Sequence, residues 1–178
     1  MNDVEIIDSL PVASRPFAQK LAQRMGRLLG IHRRMAASPV VIATYVGIGA
    51  AITEYGTFDA RIRETIALAV GNQDDCDYCQ AAHTASARRT GLTDDEIMQI
   101  RSGEITFDPK LAAIADIARS AAANVGHVPD SLRAHALRSG WCEADLEELF
   151  AHVATNLYTN YFNHYADTKL DLPPAPLP

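Results

Sequence analysis

The segment Asp74 to His83 reads DDCDYCQAAH, with Cys76 and Cys79 three residues apart and His83 four further on. On a helix, offsets of three and four bring all three side chains to one face. Two thiols and an imidazole so arranged can clip a metal, cycle between dithiol and disulfide, or pack without chemistry. The thiolate is the reactive form, and a thiol of ordinary pKa, about 8.5, holds only a few per cent of it at neutral pH. A helix N-terminus and a nearby imidazolium would raise that fraction, while Asp74, Asp75 and Asp77 would lower it. With Asp75 as N-cap and Cys76 as first helical residue, Cys79 is the expected activated thiol, and Cys76 at the helix tip is the sulfur a partner would reach. A shuttling histidine needs a group to fix its tautomer. Glu64, twelve residues before Cys76, can serve if the preceding helix folds back. A zinc site would need a fourth ligand from His127, Cys142 or water, and the chain has no second CxxC or HxxxH.

Helices must position these groups. Apolar spacing and stop signals predict helices over Arg15 to Leu29, ended by Gly30, and over Pro39 to Tyr55 behind Ser38. Asp59 caps Ala60 to Val70, and Gly71 to Asp75 breaks the chain before a helix from Cys76 to Thr90. Thr93 and Glu96 form a capping box for a helix to about Arg101. Further helices are expected over Leu111 to Ala123, Leu132 to Arg138 and Glu143 to Tyr165. No stretch alternates with period two, so the fold class is all-α. The Arg89 to Ile97 and Arg138 to Leu146 segments align at a 49-residue shift, which puts Cys142 where Thr93 caps and makes it a local structural residue. Trp141 is a core anchor, and His32 and His135 are surface or packing residues. His152, Asn156, Asn160 and Asn163 or His164 form a polar stripe, expected to be a helix or subunit seam rather than a pocket lining.

The helical domain spans residues 15–168. Residues 1–14 form an N-terminal arm without helical period, and 169–178 a proline-rich tail, LDLPPAPLP from Leu170. Apolar arms tend to lie across a neighbouring surface, which points to an oligomer. With 178 residues, 48% apolar and 21% charged, the chain can bury one core without staples. A net charge of -6 with no basic run argues against nucleic acid and anionic membranes. The N-terminus lacks a secretory pattern, no apolar run spans a bilayer, and three cysteines suit a reducing compartment. The expected location is cytoplasmic.

Glu64, Cys76, Cys79 and His83 fit Glu-x11-Cys-x2-Cys-x3-His. This pattern resembles the signature of the AhpD-like alkylhydroperoxidase branch of the carboxymuconolactone decarboxylase family, and Asn160 to His164, NYFNH, resembles the ending of its peroxidase-related members. The resemblance implies an AhpD-like helical fold carrying the CxxC on a helix hairpin, assembled as trimers or hexamers, and a peroxidase without cofactor or metal. Cys79 would attack an organic hydroperoxide, Cys76 would close the disulfide, and Glu64 and His83 would relay protons. A dithiol partner, lipoyl-protein or thioredoxin-like, would reduce the disulfide. Tyr78 stands where the best-studied members have a histidine. It is a poor base that can donate a hydrogen bond, and is expected to contact substrate. The alternatives are a carboxymuconolactone decarboxylase-like enzyme, or a non-catalytic redox sensor or scaffold.

Overall fold

The computed structural model describes residues 2–177. It is built of α1 (Asp3–Ser9), a 3-10 turn (Val12–Ser14), α2 (Arg15–Met25), α3 (Gly30–Met35), α4 (Pro39–Tyr55), α5 (Ala60–Gln73), α6 (Asp77–Arg89), α7 (Asp94–Ser102), α8 (Pro109–Ala123), α9 (Asp130–Arg138) and α10 (Glu143–Tyr165). There is no strand among the described residues, and no helix is long and apolar enough to cross a membrane.

α5 is the central helix, with every residue from Thr65 to Gly71 buried. It packs against α6, α7, α8 and α10. Ile66 and Val70 join the α8–α10 core, where Trp141 meets Phe58 edge-on and donates its indole N–H to the Lys110 carbonyl over 2.8 Å. Leu68 faces the smaller core closed by Ile97 and Ile100 of α7. A third core gathers α1 to α4 around Cys76, Tyr78 and Cys79. The capping boxes at Thr93 and Cys142 both form, with Glu96 and Asp145 reaching back to the cap amides.

Four expectations change. The N-terminal arm, expected to lack helical period, holds α1 among its described residues: Asn2 and Glu5 form a capping box for α1, and Ile6 and Ile7 are buried. The helix from Arg15 ends at Gly26, whose φ of 77° is left-handed, and Gly30 instead opens α3. α5 runs through Gly71 to Gln73 and stops at Asp75, an aspartate at φ 52° that lets the Cys76 N–H close on the Gly71 carbonyl at 3.0 Å. Asp75 is therefore not the cap of the next helix. Cys76 is, its sulfur accepting the Cys79 N–H. The tail, finally, lies on its own chain. Arg27 and the Gly30 N–H hold Asp171, Arg101 donates to the Pro176 carbonyl, and Leu172 packs on the α1–α4 core. A side chain on Gly30 would press on Asp171, its Cβ only 3.1 Å from the carboxylate, which would have to shift to make room.

Candidate functional site

Cys76 and Cys79 lie 2.6 Å apart as free, buried thiols. Their mutual hydrogen bond dominates their electrostatics. The Cys76 sulfur receives the Cys79 thiol proton as a hydrogen bond and the Cys79 backbone N–H at 3.3 Å, and these outweigh burial to bring its pKa down to about 7. Cys79 moves the other way, raised by its hydrogen bond to Cys76, by burial and by the Cys76 charge. The negative charge of the pair thus rests on Cys76, whereas the sequence reading activated Cys79.

α10 supplies a group that helical spacing did not single out. The Asn163 amide donates to Cys79 Sγ at 3.2 Å and lies 3.8 Å from Cys76 Sγ, so it bridges both sulfurs. Asn160 donates to Asp74 at 2.7 Å, and the His164 ring nitrogen meets the Asp74 carbonyl at 2.9 Å. The NYFNH segment therefore clamps the loop that presents the dithiol. The seam expected of the stripe is present at this end. At the other end His152, Thr155 and Asn156 line a cavity.

Glu64 and His83 meet as the fold-back of α6 on α5 requires, with His83 Nδ1 2.8 Å from Glu64 Oε2. Burial alone would lower the imidazole pKa. The Glu64 charge and hydrogen bond outweigh it and, with the Cys76 charge, hold the ring above its ordinary 6.5. Glu64 is correspondingly held below its ordinary value: burial opposes this, but His83, and after it Ser86, prevail. Both residues line a cleft of about 650 Å³ between α2, α4, α5, α6 and α10, and the buried sulfurs are not part of its lining. The dyad thus faces the cleft, and His83 feels the charge of Cys76.

Tyr78, expected at the substrate, is not on that cleft wall. It is buried, donates its hydroxyl proton to Asp171 at 2.7 Å and accepts the Ile31 N–H at 3.3 Å. Burial and Asp171 raise its pKa, so it stays protonated as a tie between the CxxC turn and the tail. His32 is buried and stacked on Tyr45 at 5.6 Å, with its pKa lowered to about 4 by burial and then by Arg24, while His135 is exposed. Among the described residues no three His, Cys, Asp or Glu side chains are grouped to hold a metal ion.

Comparison with known proteins follows the same lines. The sequence profile of the carboxymuconolactone decarboxylase family matches residues 39–108, which include Glu64, Cys76, Cys79 and His83. An uncharacterized protein of Cupriavidus necator is 31% identical over 78 residues, 42% of this chain and 69% of that protein. The chain belongs to the carboxymuconolactone decarboxylase family. Within the family its fold is that of AhpD-like proteins. A peroxidase-related protein from Ralstonia eutropha with an alkylhydroperoxidase AhpD core superposes with a TM-score of 0.82 at 18% identity, over 93% of this chain and 88% of the other. The debrominase Bmp8, solved with 2,3,4-tribromopyrrole, gives a TM-score of 0.74 at 18% identity, over 88% of this chain and 84% of its own. At such identities the likeness is one of fold.

Proposed function

We propose that the protein reduces organic hydroperoxides by a dithiol–disulfide cycle. The observation that carries this reading is the adjacent Cys76 and Cys79 thiols, of which Cys76 has the lowered pKa, with the Glu64–His83 pair on the cleft wall and His83 under the charge of Cys76. In the first step the Cys76 thiolate attacks the terminal peroxide oxygen, the O–O bond breaks, and the leaving alkoxide takes a proton from His83. The products are Cys76 sulfenic acid and an alcohol. Cys79 then attacks the sulfenic sulfur, giving a Cys76–Cys79 disulfide and water, and a dithiol of the lipoyl or thioredoxin type restores both thiols. The roles of the two sulfurs are the reverse of those the resemblance implies, because resting charge favours Cys76. His83 suits proton delivery because its raised pKa keeps a proton available, and Glu64 stabilises the imidazolium. Asn163 gives the Cys76 sulfur a neutral donor without competing for its proton.

The test is steady-state loss of tert-butyl hydroperoxide with dihydrolipoamide as donor. Cys76→Ser and Cys79→Ser should abolish turnover, and Glu64→Gln should lower kcat on the order of tenfold to a hundredfold. Turnover that survives Cys76→Ser would overturn the sulfur assignment, and turnover that survives both serine variants would overturn the peroxidase reading.

A further inference from the structure

The cleft beside the dyad has an uneven lining. Leu21, Tyr45, Val46, Ile52 and Ala67 give it apolar wall, and Lys20, Arg24 and Arg63 bring three cations to it. Lys20 and Arg24 are four residues apart on α2, so they stand on one face with Leu21 between them. Arg63 comes from α5, next to Glu64, and its charge is felt by both Glu64 and His152. The charge of Arg24 reaches Tyr45 and His32 across the cleft wall. None of the three cations belongs to an ion pair among the described residues, unlike Arg27, Arg61, Arg88 and Arg133, which pair with Asp171, Glu96, Asp94 and the Glu143–Glu147 pair. Of the two carboxylates on the lining, Glu64 is committed to His83, leaving Glu54 on the last turn of α4. A chain with net charge -6 thus gathers an excess of unmatched positive charge around one apolar cavity.

Three like charges around an apolar cavity repel one another and keep their water, unless the ligand that enters brings an anion. An apolar body with one carboxylate supplies both needs: its chain covers the alkyl and aromatic wall, and its head takes hydrogen bonds from lysine and arginine. A volume of about 650 Å³ lies within the range of small-molecule sites. We propose that the cleft binds long-chain carboxylic acids, so that the hydroperoxide class the protein serves is that of fatty acids rather than neutral alkyl hydroperoxides. The substrate assignment rests on the peroxide-reducing reading, whereas the acid-binding site itself does not. With the carboxylate at the Lys20–Arg24 face, the chain lies along Tyr45 and Val46 and brings a peroxide on it towards His83.

Two measurements separate the acid site from the chemistry. Calorimetric titration of the reduced protein with octanoate and with octanol should give octanoate an advantage of about tenfold, equivalent to about 1.4 kcal/mol. The advantage should shrink with added salt and vanish in the Lys20→Gln/Arg24→Gln double variant, whose circular dichroism should match wild type because both side chains are exposed. In turnover, a fatty-acid hydroperoxide should exceed its methyl ester in kcat/KM by a similar factor, and the double variant should close that gap. Equal affinity for octanoate and octanol, or an advantage that the double variant retains, would overturn the acid site. An octanoate advantage without peroxide turnover would leave the acid site standing and overturn the peroxidase reading.

Discussion

The Cys79 thiol hydrogen bond, and after it the Cys79 N–H that Cys76 accepts as helix N-cap, lower the Cys76 pKa against burial. The prediction that follows concerns pH. A depressed thiol pKa means that thiolate accumulates as pH rises through about 7, not through the ordinary value near 8.5. The ultraviolet thiolate signal that is lost in Cys76→Ser should therefore have its midpoint near 7. In Asn163→Leu, which removes the bridging amide, the midpoint should move upward. A midpoint at the ordinary value in wild type would mean that neither the Cys79 thiol nor the N-cap stabilises the thiolate. The twelve-residue step from Glu64 to Cys76 made the pairing of Glu64 with His83 legible in the sequence. Which cysteine caps was not legible, since it depended on Asp75 taking a left-handed conformation, a choice a short turn makes only with its tertiary contacts in place. The sulfur contact of Asn163, named only as part of a polar stripe, was not legible for a related reason: one polar residue of a stripe cannot be seen to touch sulfur until the packing of α10 on α6 is known.

Among the elements, those with long periods and plain caps were readable, and short ones were not. α10 begins at Glu143 and ends at Tyr165 as its pattern predicts, and α4 runs between Pro39 and Gly56. α1 has only seven residues, two turns in which apolar spacing is hardly distinguishable from chance, although the Asn2 and Glu5 capping box was its local signal. Its stability comes from tertiary burial, and helices of that length need it. Ile6 and Ile7 are buried against the same core as the cysteines. Ile7→Ala should therefore cost on the order of 2–4 kcal/mol in urea unfolding, where an unattached arm would show no change. The same variant reports on the dithiol indirectly, because the core it loosens includes Tyr78 and the buried sulfurs.

At the scale of the whole molecule, the family pattern and the helical class both came from the sequence, but the route of the tail did not. A proline-rich end reads as an arm reaching for a neighbour. Here Arg27, Gly30, Tyr78 and Arg101 tie it across the outer face of the CxxC helix instead. Those partners are spread from residue 27 to 101, a separation at which sequence pattern carries no pairing information. The result is a dithiol held from three directions: by the tail through Tyr78, by α10 through Asn163, and by α5 through Gly71 and the Glu64–His83 pair. Glu64 and His83 line the cleft, so the proton relay faces the space a substrate can enter, and both sulfurs are buried. The most direct test is a single-turnover one: mix the fully reduced protein with one equivalent of tert-butyl hydroperoxide and map its thiols by mass spectrometry. One peroxide should disappear for each Cys76–Cys79 disulfide formed, with Cys142 still a free thiol. Unconsumed peroxide with both thiols intact, or oxidation confined to Cys142, would contradict it.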